Sequence, residues 1–169
     1  YSWDGSSWTQ QGQDIDGEAA WDFSGGSVSL SSDGATVAIG ADGNGSSGHV
    51  RIYSWDGSSW TQQGQDIDGE SVGDYSGGSV SLSSDGATVA IGAPYNDGCG
   101  EVLASDTTYG HVRLYHFNGT FWTQIGLDID GDVGDQSGTA VSLSSDGNIV
   151  AIGAPGNNKV RIYENIGGS

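Results

Sequence analysis

The 169-residue chain has no methionine, one cysteine, two prolines and four basic side chains. A single cysteine excludes an internal disulfide, so Cys99 is either a free thiol or, in an oxidising compartment, a link to another chain. Four lysines and arginines against 22 acidic residues give a formal net charge of −18 at pH 7. That field repels nucleic-acid phosphates and anionic lipid headgroups, leaving cations, neutral sugars and other proteins as partners. No stretch approaches the roughly 18–20 apolar residues of a membrane-spanning helix, and nothing resembles a signal peptide. The chain as given is expected to be soluble, with no membrane insertion. It opens at Tyr1 inside a repeated motif, as a processed product or a piece of a longer array would. Also missing are a Cys/His metal cluster, a phosphate-cradling glycine loop, and any nucleophile, base and orienting residue at informative spacing. The expectation is a protein that is not an enzyme. A catalytic site would have to be built by the one large break in the pattern, Tyr95–Gly110.

What is present is repetition. Tyr1–Ile52, Tyr53–Leu114 and Tyr115–Ile162 are successive units of 52, 62 and 48 residues, and 163–169 begins another. Tyr1–Glu18 matches Tyr53–Glu70 letter for letter, as Ser24–Ala41 matches Ser76–Ala93. A period near 50 denotes an array of supersecondary units. With 31 glycines, many Ser, Thr and Val, and no long helix-forming stretch, the composition is all-β. Hydrophobic content of 34% is low for one thick core and adequate for thin sheets stacked face to face.

The second unit shows the elements. Ser79-Val80-Ser81-Leu82-Ser83 alternates as a strand with one buried face, and Asp85-Gly86 supplies positive φ angles for a tight hairpin turn into Ala87–Gly92. His111–Tyr115 is a third alternating strand. Asn118-Gly119 turns it into a fourth that starts at Trp122 and runs toward Asp128-Ile129-Asp130-Gly131. Four antiparallel strands per unit of about 50 residues is the pattern of a propeller blade. The fold expected is therefore all-β, about three four-stranded antiparallel blades plus partial strands, as an incomplete propeller or a segment of an array. Three blades cannot close a ring, since closed propellers have typically four to eight. Two copies could complete one ring, the chain could belong to a longer array, or units could stack head to tail into a fibre.

Two residue groups resemble a known family. Ser-Gly-x-Ser/Ala-Val-Ser-Leu occurs at Ser24–Leu30, Ser76–Leu82 and Ser137–Leu143. Val-Ala-Ile-Gly-Ala-Pro follows at Val89–Pro94 and Val150–Pro155, with Asp in place of the proline at Val37–Asp42. The pair resembles the FG-GAP repeat of integrin-α-type β-propellers, with Ser in place of the Phe. The resemblance spans essentially the whole chain and implies propeller blades, extracellular adhesion or scaffolding, and often bound calcium. Many such blades hold Ca²⁺ in an Asp-x-Asp-x-Asp-Gly loop between the two halves. Here that place is Ser-Ser-Asp-Gly, and one carboxylate cannot supply the six to eight oxygens Ca²⁺ takes.

Another acidic group does recur: Asp14, Asp16 and Glu18 with Asp22; Asp66, Asp68 and Glu70 with Asp74; Asp128, Asp130 and Asp132 with Asp135. Carboxylates two apart on a strand face one way and the adjoining Gly lets the chain curl, so Ca²⁺ is chemically possible. The other reading is that they cap turns or are solvated. His49 and His111 share a position with Lys159, which suits a long polar side chain on an exposed strand face. Arg51, Arg113 and Arg161 are expected to pair with carboxylates of a neighbouring strand or unit. Trp3, Trp55 and Phe117, and Trp8, Trp60 and Trp122, recur in register and are expected to fill space between blades. Trp21, standing where the other units have Gly73 and Gly134, is the better candidate for an outside contact. Asn44-Gly45-Ser46 and Asn118-Gly119-Thr120 are glycosylation sequons with room for a glycan if the chain is secreted.

The function expected is an extracellular or cell-surface structural or adhesive protein that self-associates into an oligomer or fibre. The alternative is a calcium-dependent carbohydrate- or protein-binding propeller whose partners are glycans or extracellular proteins.

Overall fold

The computed structural model describes residues 2–97 and 108–166. Cys99 and most of the Tyr95–Gly110 insertion lie outside them. Every sheet is antiparallel, and the described residues contain no α-helix. None of the described helices is long and apolar enough to cross a membrane.

A two-residue hairpin, β1 (Ser2–Trp3) and β2 (Trp8–Thr9), opens the chain. The first full sheet has β3 (Ser27–Leu30), β4 (Thr36–Ala41), β5 (His49–Trp55) and β6 (Trp60–Gln62) in that order, with β7 (Ile67–Asp68) also on β5. The second repeats it: β8 (Ser79–Leu82), β9 (Thr88–Ala93), β10 (His111–Phe117), β11 (Trp122–Gln124), and β12 (Ile129–Asp130) on β10. The third sheet has three described strands, β13 (Ala140–Leu143), β14 (Ile149–Ala154) and β15 (Lys159–Glu164). The period read from the sequence is thus a sheet period with its phase shifted. Tyr53 and Tyr115, which begin the sequence units, sit inside β5 and β10, because a sheet ends where backbone pairing ends rather than where copied text does.

Two local expectations change. The fourth strand is two short pieces, β6 and β7 or β11 and β12, both on the third strand, with a jog between them. At Ser83–Thr88 only Gly86 has positive φ, +69°, so the turn is wider than a two-residue Asp-Gly hairpin. Asp85 instead accepts from Ser83 Oγ at 2.6 Å and Ala87 N at 3.0 Å. The single carboxylate of Ser-Ser-Asp-Gly is used in its own turn, and those bonds, Ser83 first, hold it below the usual carboxylate range.

The sheets stack with their first strands side by side, β3 against β8 and β8 against β13. Between sheets one and two, Ala38, Val50, Ile52 and Ile67 face Val80, Leu82, Val89, Ile91 and Trp122. Between two and three, Ala90 and Val112 meet Val150 and Ile152, flanked by Leu114, Ile129, Val141 and Leu143. Polar bonds repeat across both seams. Ser27 Oγ donates to Gly77 O at 2.6 Å and Ser79 Oγ to Gly138 O at 2.7 Å. Ser29 Oγ and Ser81 Oγ each accept, at 2.9 Å, the N–H of Leu82 and Leu143 on the next sheet. The Ser-Val-Ser-Leu motif therefore supplies apolar residues for packing and hydroxyls for joining units.

The tryptophans behave as expected where a neighbour exists. Trp60 Nε1 donates to Gln11 O at 3.0 Å and Trp122 Nε1 to Gln63 O at 2.8 Å, each reaching the preceding unit. Trp21 has φ +75°, as Gly73 (+93°) and Gly134 (+76°) do at the same repeat position. A side chain pays for that conformation, and Trp21 is 81% exposed, so little packing offsets it. Trp21→Gly is expected to raise stability by about 0.5–1 kcal/mol, net of glycine's extra chain entropy. A urea midpoint that stays put or falls would show that the indole is held by contacts after all.

Candidate functional site

The recurring acidic run is split up by the fold. In sheet one, β7 pairs with the start of β5, setting His49 opposite Asp68 and placing Asp66 beside it. Glu18, from the segment leading into the sheet, closes the corner. His49 Nδ1 lies 3.9 Å from both Glu18 Oε2 and Asp66 Oδ2. Sheet two repeats this, with His111 Nδ1 3.9 Å from Glu70 Oε2 and 3.7 Å from Asp128 Oδ2. In each corner the three ligand atoms lie within 4.8 Å of one another. Glu70 lies two residues past β7 of sheet one, whereas His111 is in β10 and Asp128 just precedes β12 of sheet two, so the second corner joins consecutive units.

Both imidazoles are 2% exposed, contrary to the exposed strand face expected of them. The third strand is interior to a stacked sheet and covered on both sides at its start, so alternation fails there: His49–Ile52 are all buried. Arg51 and Arg113 are buried too, donating from Nη2 at 2.8 Å to the backbone oxygens of Asp16 and Asp68 in the adjoining unit. Their charges lie 3.9 Å from Glu18 and 3.6 Å from Glu70, which agrees with the expected pairing across units. Burial first, then Arg113, pushes the His111 imidazole below its ordinary value despite Asp128 and Glu70. It is therefore neutral near pH 7, with a lone pair to offer.

The other predicted carboxylates do not join these corners. Asp14 accepts from Gln10 Nε2 at 2.7 Å, the bond Asp66 takes from Gln62 and Asp128 from Gln124. Asp16, Asp68 and Asp130 are exposed at the edge. Asp132 accepts from Lys159 Nζ at 3.0 Å and Arg161 Nη2 at 2.6 Å.

Asp22, Asp74 and Asp135 are buried behind the corners, each capping the turn before it: Asp22 accepts from Ala19 N, Asp74 from Ser71 N and Asp135 from Asp132 N. Each also takes a side-chain amide from 22 residues on: Asn44, Asn96 and Asn157, at 3.2, 3.1 and 2.6 Å. This Asp–Asn pair was not anticipated, although its constant spacing in all three units was there to be read. Asn44 of the first sequon donates from Nδ2 to Asp22 and to Glu18, each at 3.2 Å. Asn118 is exposed, with Oδ1 holding the turn through Thr120 N and Phe121 N. At Asp135, burial pushes the carboxyl up, and Asn157, the Asp132 N–H, Arg161 and Lys159 together hold it well below the usual range.

With this geometry in hand, the chain can be set beside known proteins. No family model and no curated protein matches it. Among solved structures it is similar to the hydrazine synthase of Kuenenia stuttgartiensis, with a TM-score of 0.54 and 19% identity over 81% of this chain and 39% of that one. It is also similar to TolB of Acinetobacter baumannii (TM-score 0.47, 17% identity, 80% and 28% covered) and the GH74 enzyme of Niastella koreensis (0.46, 16%, 82% and 16%). These are β-propeller proteins. The fold is a run of propeller blades. The chain spans less than two-fifths of each of these proteins, and at this identity the likeness concerns the blades alone.

Proposed function

We propose that this is a non-enzymatic, extracellular structural or adhesive protein of FG-GAP-like blades that self-associates, a second copy stacking its first blade on the last blade of the one before. One observation carries the reading: repeat positions buried between blades are bare at the two ends. Val28 on β3 is 63% exposed where its counterpart Val80 is 8%, and Ile162 on β15 is 71% exposed where Ile52 is 0%. Leu30 and Val160 follow the same rule. Burying such side chains stabilises by about 1.5–3 kcal/mol each, so two complementary end faces have a strong drive to meet. A cavity of about 260 Å³ lined by Leu114, Ile125, Gly126, Leu127 and Tyr163 lies at the seam of blades two and three. Ile125 and Gly126 there take the place that Gln63 and Gly64 have against Trp122 one seam earlier, so the cavity suits a fourth-strand tryptophan. The recurrence of Ser-Gly-x-Ser/Ala-Val-Ser-Leu before Val-Ala-Ile-Gly-Ala-Pro supports the FG-GAP assignment, and exposed Asn118 suits a secreted glycoprotein.

Sedimentation over a dilution series, with electron microscopy, tests this. The wild-type chain is expected to form higher-order species or fibres, and Leu30→Asp with Ile162→Asp to sediment as a folded monomer. A wild-type chain that stays monomeric at every concentration would overturn the reading. A calcium-dependent carbohydrate- or protein-binding module is the second reading, supported by Trp21 and Phe23, both exposed on one surface segment. It expects saturable glycan or protein binding by a discrete particle, lost with chelator and weakened by Trp21→Ala.

A further inference from the structure

Positions 49, 111 and 159 are equivalent, and they carry His, His and Lys. In the third unit Lys159 puts its Nζ 3.0 Å from Asp132, the counterpart of Glu18 and Glu70, and 3.3 Å from Asp135, the counterpart of Asp22 and Asp74, so a tethered cation sits among the acidic side chains there. In the first two units the imidazole is shorter. It leaves Nδ1 3.7–3.9 Å from two carboxylates, beyond hydrogen-bonding reach, and neither ring has a hydrogen bond among the described residues. In two corners a buried imidazole without a hydrogen bond among the described residues thus faces a pair of carboxylates across a gap, at the repeat position where the third unit carries a lysine.

We propose that each corner, Glu18–His49–Asp66 and Glu70–His111–Asp128, binds one divalent transition-metal ion of the zinc class. His Nδ1 and one oxygen from each carboxylate are the ligands, and water takes the fourth position. One nitrogen and two carboxylates make a borderline donor set that suits such ions, whereas Ca²⁺ takes six to eight oxygens. Around a tetrahedral ion with bonds of about 2.0–2.2 Å, ligand atoms lie about 3.4 Å apart. Each nitrogen–oxygen gap therefore has to close by only a few tenths of an ångström, and the two carboxylate oxygens, within 4.8 Å of one another, by at most about 1.4 Å. The imidazoles are locked by burial, Asp66 and Asp128 are held on Oδ1 by Gln62 and Gln124 and keep Oδ2 on the side of the ring, and the more exposed Glu18 and Glu70 leave a solvent route to the ion. In the second corner the ion clamps the tail of blade one to the third strand of blade two, so it acts as an inter-blade staple. Lysine does the same work in the third unit without metal.

The test uses the whole chain, stripped with chelator and titrated with Zn²⁺ by calorimetry and thermal melting. Two ions per chain are expected, with Tm raised by roughly 10–20 °C at a hundredfold excess over Kd for both sites. His111→Lys is expected to bind one ion, and His49→Lys with His111→Lys none, with the apo Tm at or above that of the wild type because Lys159 shows the position accepts lysine. Co²⁺ substitution should give the intense visible bands of a tetrahedral nitrogen–oxygen site, absent from the double variant. Zinc uptake unchanged in the lysine variants would mean scattered carboxylate binding and overturn the proposal. So would no zinc uptake at all, or Ca²⁺ binding that survives both substitutions in place of zinc.

Discussion

Gly92→Ala is expected to destabilise the chain by about 3 kcal/mol, while Gly153→Ala, the same residue of the same motif one blade on, changes stability by less than about 0.5 kcal/mol. A Cβ at Gly92 would lie 2.1 Å from the carbonyl oxygen of Gly138 and 2.5 Å from Ser79 Oγ. Neither can yield cheaply: the first is backbone of the next blade, and the second is the hydroxyl that donates to that carbonyl at 2.7 Å. Forcing them apart opens the seam and leaves buried polar groups unpaired. At Gly153 the nearest atom to a new Cβ is Ala140 Cβ at 3.4 Å, an ordinary contact. Urea unfolding monitored by circular dichroism on dilute samples separates the two outcomes. Equal losses at 92 and 153 would mean that the seam is not where the motif glycine acts. Gly153→Ala has a second use, since a substitution silent in the isolated chain but blocking growth of assemblies would place the next blade on that face.

The same comparison explains which features were legible in the sequence. Strand identity was, because Ser-Val-Ser-Leu and Val-Ala-Ile-Gly-Ala alternate and recur, and each maps onto β3, β8 and β13 or β4, β9 and β14. The reason for the glycine in the second motif was not. It answers to a carbonyl about 50 residues away, and no local pattern shows a contact across a seam. The histidines show the same limit. Alternation places His49 on a solvent face, but interior strands of stacked sheets lose that distinction, and the ring ends up buried between carboxylates from two parts of the chain. Within the acidic run, the residue types raised cation chemistry, and the fold decides which of them meet. Their adjacency misled: Asp14, Asp16 and Glu18 are neighbours in sequence, yet Glu18 meets Asp66, 48 residues on, through the pairing of β7 with β5. The lysine at 159, where the other units have histidine, was visible in the sequence, but its pairing with Asp132 and Asp135 was not.

Trp122→Ala is expected to cost about 3–5 kcal/mol, Trp60→Ala less, and Trp8→Ala within about 0.5 kcal/mol, although all three occupy one repeat position. Trp122 is 3% exposed and Trp8 67% exposed. Truncating Trp122 empties a site within the core between blades one and two and removes the ring that packs on Phe117 at 5.2 Å. It also removes the indole N–H that Gln63 O accepts at 2.8 Å, in a seam where Gln63 Oε1 already has no partner. Trp60 keeps the equivalent bond to Gln11 O, but at the edge of the array, and Trp8 packs on Trp3 at 5.5 Å with most of its surface bare. The gradient therefore reports how many blades cover the position rather than anything in the residue itself. Denaturant midpoints for the three variants, compared on dilute and on concentrated protein, would show it. A Trp8→Ala loss that grows toward the Trp122→Ala value with concentration would locate that indole in another copy's seam, while three equal losses at low concentration would contradict the stacking of blades on which the gradient depends.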